Sequence, residues 1–333
     1  MRPLVIQAAN TRGMPALPVD SGRCYLLAPM AGYTDLPFRM ACRAQGAFYM
    51  FTALIDSGAL VHGNKENENI LRRGKDEPWL GVQLLGSIEG DIEKSAEMLD
   101  DMNFDVVDFN MGCPMQKVTK RPAGAALLFP ENHRLAFRCV ELIRKKTHRP
   151  FTVKIRILDF DDPEPTVAFC RRLEELGVDG VTIHGRLTKS IYSGPVATAV
   201  IAAVRETLAI PVTANGGIFS LEDADRLAAE TGCESLMVAR GAIGNPWLFR
   251  ELAGNSNAKP TNQELCDVMQ EHIGGMVECY GERTGLILAR KICTAYLHGR
   301  GYRKEFRIRG SQMSQLVEFQ ELIRDVRSEG PVG

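Results

Sequence analysis

From residue 24 onward, short apolar runs alternate with longer amphipathic stretches. The runs are CYLLAP (24–29), AFYMF (47–51), WLGVQLL (79–85), FDVVDF (104–109), FTVKI (151–155), GVTI (180–183), PVTA (211–214) and ESLMVA (234–239). Between them, apolar residues recur at helical spacing over 88–102, 132–146, 165–176, 198–208 and 221–230. Gly177-Val178-Asp179-Gly180 and Thr231-Gly232-Cys233-Glu234 each stop a helix and lead straight into a strand. Continuous apolar runs are strands buried on both faces, so the pattern predicts a parallel sheet covered by helices. Eight such runs close a (β/α)8 TIM barrel, and residues 24–250 have the length of one. An open doubly wound sheet is the alternative. It calls for a GxGxxG turn after the first strand, which CYLLAPMAGYTD does not supply.

The strand-like runs stop after residue 250. NSNAKPTN (255–262) is a polar linker, and helical spacing resumes over 263–280, 285–298 and 312–327. The expected organisation is an irregular N-terminal extension (1–23), a barrel (24–254) and a small C-terminal helical domain (255–333). Composition adds exclusions: 333 residues with 45% apolar, 24% charged and a net charge of -1 are ordinary for a globular chain. No apolar run reaches the roughly 18 residues of a membrane span, and the first twenty residues lack a secretory pattern. Nine cysteines with no CxxC pair argue against a disulfide framework or a metal site and for a reducing cytoplasm. The chain is expected to act as a monomer.

A barrel builds its active site at the C-terminal ends of its strands. The polar residues expected there are Gln83, Asn110, Cys113, Lys154, Arg156, His184, Arg186, Asn215-Gly216-Gly217 and Ala239-Arg240-Gly241. Each alone has a structural explanation, but polar groups at one end of six successive strands do not arise from packing. Glycines after strands seven and eight let the backbone approach phosphate oxygens. Lys154 and Arg156 are two apart on a strand and share a face, where they repel unless an anion or electron-rich ring lies between them. A phosphate-bearing cofactor with a reducible ring meets both conditions, and FMN is the economical choice, with Gln83 available to its polar edge. Cys113 differs from the other cysteines because it sits in a loop past a strand end, with Lys117 close by. It is suited to act as an acid or as a nucleophile.

These motifs resemble those of the tRNA-dihydrouridine synthases, over residues 24–327. The resemblance rests on LLAPMAGYTDLPFR (26–39), VQLLGS (82–87), DFNMGCPMQKV (108–118) with GAALL (124–128), VKIRI (153–157), VTIHGR (181–186), VTANGGI (212–218) and VARGAIGNPWLF (238–249). It implies a barrel that binds FMN, a helical domain that binds tRNA, and NADPH as reductant. The implied reaction reduces the C5=C6 bond of a tRNA uridine, with hydride from the flavin to C6 and a proton from Cys113 to C5. It places Pro29, Met30, Ala31, Gln83, Lys154, His184, Asn215, Gly216, Gly217, Ala239 and Arg240 at the cofactor. Asn110, Arg156 and Arg186 fall around the target base. The chain departs from the family pattern at Leu187 and Ser190, in the stretch where a glutamine is common, and carries Pro122 ahead of Ala123-Gly124.

For RNA, positive charge concentrates between 283 and 309, where eight Lys or Arg face a single acid, Glu305. Arg303 and Arg307 belong to this group. Tyr296, Tyr302 and Phe306 interleave with the cations and are expected to offer stacking surfaces. Lys120 and Arg121 are expected to reach the same phosphate backbone. The competing function is a small-molecule FMN oxidoreductase of the dihydroorotate dehydrogenase-like type, which has no need of a basic helical appendage.

Overall fold

The computed structural model describes residues 23–64, 66–255 and 259–332. Apart from Arg23, the expected N-terminal extension lies outside the described residues. Eight parallel strands close a barrel: β1 (Cys24–Leu27), β2 (Tyr49–Asp56), β3 (Trp79–Leu85), β4 (Val106–Met111), β5 (Phe151–Arg156), β6 (Gly180–His184), β7 (Val212–Asn215) and β8 (Ser235–Val238). Each pairs with the next, and β8 returns to β1 through Cys24↔Ser235. All residues of β3, β4, β6 and β8 are buried, as continuous apolar runs require. The five long amphipathic helices between the strands lie within two residues of their expected limits, for example His133–Lys146 and Leu221–Thr231.

Two strands of the barrel differ from expectation. The second strand runs on to Asp56, because Thr52 and Asp56 interrupt the apolar run without ending the pairing. The pairing shifts between Phe51 and Leu54, a bulge that turns the strand end. The fourth strand continues through Asn110 and Met111, so Asn110 is a strand residue rather than a loop residue.

One end of the barrel is filled and the other is open. Leu26, Phe51, Trp79, Val106 and Met237 form an apolar cluster inside, with the Trp79 ring edge-on to Tyr49 and Phe51. Gly81 makes room for it, since a Cβ there would lie 2.7 Å from Val106 Cγ1 and closer still to the Phe51 ring. Register then sets a polar layer at the opposite end. Gln83 pairs with Asp108, Asn110 with Lys154, Arg156 with His184, and His184 with Asn215.

The C-terminal region is a four-helix bundle of Asn262–Tyr280, Glu282–Leu297, Lys304–Gln312 and Leu316–Glu329. The third helix was not evident in the sequence because KEFRIRGSQ buries only Phe306 and Gly310. The bundle has its own core, including Met269, Ile273, Leu286, Ile292, Tyr296, Phe306 and Phe319, and Trp247 of the barrel's last loop joins it. Tyr296, Tyr302 and Phe306 are all buried in that core. The stacking role expected for these rings is therefore wrong: they hold helices together. Among the described residues, no helix is long and apolar enough to cross a membrane.

The bundle packs against the barrel through the helix Leu36–Arg43, where Phe38 stacks on His272 at 5.5 Å between ring centres. His272 is buried, with Nδ1 hydrogen-bonded to the Tyr296 hydroxyl at 3.1 Å. Burial pulls its pKa down to about 3. A histidine held neutral in the fold contributes stability above the unfolded pKa of about 6.5 and loses it as pH falls toward 3. From His272 alone the loss is about 2 kcal/mol by pH 5, at about 1.4 kcal/mol per pH unit below the unfolded pKa. Asp108, raised by burial to about 7, runs the other way, gaining relative stability over the same interval. The comparison that isolates His272 is wild type against His272→Phe in urea at pH 7 and pH 5. The stability difference between them should shift by about 2 kcal/mol in favour of the variant at pH 5.

Candidate active site

A cavity of about 440 Å³ opens at the C-terminal end of the strands. Pro29, Met30 and Ala31 after β1 form one wall; Asn110, Gly112 and Cys113 from the end of β4 form another. Lys154, Arg156, His184 and Arg186 continue the lining from β5 and β6, and Asn215, Gly216, Gly217, Ala239 and Arg240 complete it. The structure thus brings together every residue expected at the cofactor or base except Gln83. The Gln83 side chain is fully buried below the cavity. Its Nε2 donates to Asp108 Oδ2 at 2.7 Å and its Oε1 accepts from Asn110 Nδ2 at 2.7 Å. These two bonds set Gln83 beneath Asn110 as its support.

Among the described residues, four cations, Lys154, Arg156, Arg186 and Arg240, and no carboxylate line the cavity. Lys154 donates to Asn215 Oδ1 at 2.9 Å; burial, with Arg156 beside it, lowers its pKa to about 8. Arg156 donates from Nε to the Gly112 carbonyl at 2.8 Å and from Nη1 to the Leu187 carbonyl at 3.1 Å. Burial draws its pKa toward about 10. Arg186 donates from Nε to the Gly194 carbonyl, and its Nη1 lies 3.3 Å from His184 Nε2. A guanidinium cannot accept, so His184 Nε2 is the acceptor there. Burial and the surrounding cations, Lys154 first among them, push the His184 pKa far below its usual value. His184 is a neutral ring in this site.

The loop after β4 is tied down at several points. Asn110 Oδ1 accepts from the backbone N–H of Gly112 at 3.0 Å and of Cys113 at 2.9 Å. Ala125 N–H donates to the Cys113 carbonyl at 3.0 Å. Gly124 has φ +57, and a Cβ there would lie 2.9 Å from that carbonyl oxygen, so only glycine permits the approach. Cys113 remains partly exposed toward the cavity, whereas Cys24, Cys42, Cys139, Cys170, Cys233, Cys266 and Cys293 are buried. After β7, Gly216 (φ +127) and Gly217 (φ +75) turn the backbone along the cavity edge. A Cβ on Gly216 would meet His184 Cδ2 at 3.1 Å and Arg186 Nη1 at 3.3 Å.

Several residues at the site carried no separable signal in the sequence. Tyr33, Tyr192 and Phe219 also line the cavity, with the Arg240 guanidinium 4.6 Å from the Tyr192 ring centre and 5.7 Å from that of Phe219. Tyr192 lies in the stretch where the sequence departs from the family pattern. Asp108 was hidden inside an apolar run. The four remaining substrate candidates lie away from the cavity lining. Lys120 is exposed, Arg121 is paired with Asp56, Arg303 pairs with Glu329 at 2.8 Å, and Arg307 Nη1 contacts His298 Nδ1 at 3.2 Å. Among the described residues, no group of three or more His, Cys, Asp or Glu is placed to hold a metal ion.

Residues 26–329 match the family Dihydrouridine synthase (Dus). Among similar proteins, tRNA-dihydrouridine synthase B of Pseudomonas aeruginosa is 33% identical over 288 residues, covering 85% of this chain and 86% of that protein. A probable tRNA-dihydrouridine synthase of Rhizobium leguminosarum is 35% identical over 275 residues, covering 82% and 84%. A third, probable tRNA-dihydrouridine synthase of Rickettsia typhi, is 33% identical over 309 residues, covering 90% and 93%. With this barrel and this cationic site, the protein is a flavin-dependent oxidoreductase. The chain belongs to the dihydrouridine synthase family.

Proposed function

We propose that this protein reduces uridine in tRNA to 5,6-dihydrouridine, with FMN as its bound cofactor and NADPH as reductant, acting as a monomer in the cytoplasm. The observation that carries the reading is a cavity lined by four cations and no carboxylate, beside a glycine turn that a Cβ would fill. That donor set fits an anionic flavin phosphate and an electron-rich ring. Gly216, Gly217 and Arg240 would hold the phosphate, with Lys154 and Pro29-Met30-Ala31 toward the ring. Bound FMN supplies the hydride that adds to C6 of the uracil.

The chain's own residues do the rest. Adding hydride to C6 leaves enolate charge on the C4 carbonyl and a C5 that needs a proton. Cys113 gives its thiol proton to C5, and Lys154 and Arg156 stabilise the developing negative charge. Neutral His184 and Arg186 shape the base site, and Asn110 holds the Cys113 loop. The target base must leave its stack to reach the cavity, which costs less in a loop than in a duplex. The helical bundle would meet the tRNA backbone through cations, since its expected stacking rings are buried. Membership of the family sets aside the small-molecule dihydroorotate dehydrogenase-like alternative.

The test begins with colour. The purified protein should carry FMN, be bleached by NADPH under anaerobic conditions and regain colour on adding tRNA that lacks dihydrouridine. Lys154→Ala should weaken FMN binding about tenfold or more, the scale of a lost charge-assisted hydrogen bond. A flavin-free protein that takes up no FMN, or a reduced protein that leaves tRNA unchanged, would overturn the reading.

A further inference from the structure

Beneath the cavity runs a chain of buried hydrogen bonds whose direction is fixed from one end. The N–H groups of Gly112 and Cys113 can only donate, so Asn110 must present Oδ1 to them. Its amide nitrogen therefore faces Gln83, which must answer with Oε1 at 2.7 Å. Gln83 then turns its own Nε2 toward Asp108 Oδ2, also at 2.7 Å. A donor at position 108 would face a donor. Asp108 closes the chain as an acceptor, and Thr152 Oγ1 on β5 donates to its other oxygen at 2.6 Å. Asp108 and Gln83 are 2% and 0% exposed, so no bulk water substitutes for a missing link.

We propose that Asp108 is a positioning residue for the reaction: by accepting from Gln83 it fixes the sense of both amides and so holds the Cys113 loop, and with it the thiol, against the cavity. This rests on the reading of Cys113 as the proton donor. Asp108 reaches neither the cavity lining nor the thiol itself and acts through Gln83 and Asn110. The strand supplies the alignment, because Asp108 and Asn110 are two apart on β4 and point to the same interior. Gln83 sits opposite Asp108 in register. The carboxylate's elevated pKa reflects this burial, with Thr152 and Gln83 opposing the shift.

The direction rule predicts an unusual mutant pattern. Asp108→Asn alone should be tolerated, since its oxygen can still accept from Gln83 while the Thr152 hydroxyl turns to accept from the new amide nitrogen. Thr152→Val alone removes a donor to Asp108 but leaves the link to Gln83. Together they leave the asparagine nitrogen without an acceptor unless it turns onto Gln83, which reverses both amides and releases the loop. The experiment is this double-mutant cycle on the FMN-loaded protein, read by the rate of iodoacetamide alkylation at Cys113 and by single-turnover tRNA reduction. Flavin content and far-ultraviolet circular dichroism report on folding. Each single variant should stay within about threefold of wild type, and the double should fall about tenfold or more below their product in tRNA reduction. Its Cys113 should be alkylated several-fold faster at unchanged flavin content. Additive effects, or alkylation that is unaltered or slower in the double variant, would overturn the proposal. The alkylation arm does not depend on what Cys113 does, so a failure of the acid role appears separately, as Cys113→Ala protein that still reduces tRNA at the wild-type rate.

Discussion

Under the proposed function, Cys113→Ala should lower tRNA reduction by about 10²-fold or more, the usual scale for a lost general acid, with FMN still bound and still reduced by NADPH. The cavity offers few other acids. His184 is neutral, Arg156 and Arg186 keep their protons, and among the described residues no carboxylic acid lines the wall. Lys154 is the next candidate, because burial lowers its pKa to about 8. Its ammonium already donates to Asn215 Oδ1 at 2.9 Å, while β5 runs beside the strand that leads into the Cys113 loop. A variant with undiminished tRNA reduction would move the acid role to Lys154. Cys139→Ala is the matched control: its thiol is buried, with a pKa pushed by burial to about 12, and its loss should change packing and leave turnover alone.

Gly244→Ala should destabilise the protein by about 3 kcal/mol or more in urea unfolding, the combined scale of a backbone clash and a strained φ. Gly244 has φ +67, and a Cβ there would lie 2.6 Å from the Tyr296 backbone nitrogen and 2.7 Å from the Ala295 carbonyl oxygen. Both atoms belong to the buried bundle helix Glu282–Leu297, so neither can retreat as a flexible side chain would. The same seam carries Arg300, which donates to Asn245 Oδ1 at 2.8 Å and lies over the Trp247 ring at 5.3 Å. Gly254→Ala is the comparison, with φ +83 and nothing within 4 Å of its Cβ. It should cost only the conformational term of about 1 kcal/mol. Equal effects at the two glycines would show that the close approach at Gly244 carries no weight.

The barrel was legible because strands buried on both faces write themselves as unbroken apolar runs, and eight of them leave few architectures. Lys154 and Arg156 were legible for a related reason: strand period alone places them on one face. The strand pattern places Gln83 in the barrel interior but does not name its neighbours Asp108 and Asn110. Whether an inward amide meets a ligand or a buried carboxylate depends on register with β4, which is a tertiary property. Tyr296, Tyr302 and Phe306 mislead because neighbours in sequence need not share a helix face; Arg303 and Lys304 are exposed while the rings point in. The helix Lys304–Gln312 was missed because two small contacts, Phe306 on the core and Gly310 against Cys293, suffice to seat it. Arg303 and Arg307 read as free cations, yet each has a partner within the bundle.

The plug of Leu26, Phe51, Trp79, Val106 and Met237 has a kinetic meaning. It shuts the barrel floor, so the cavity described here is entered through its mouth at the rim of Met30, Cys113 and Arg240. A small electron donor and a macromolecular acceptor that use the same doorway cannot both be inside. Under the proposed function, turnover would then be a sequence of visits, in which one guest departs before the next is admitted and each in excess obstructs the other.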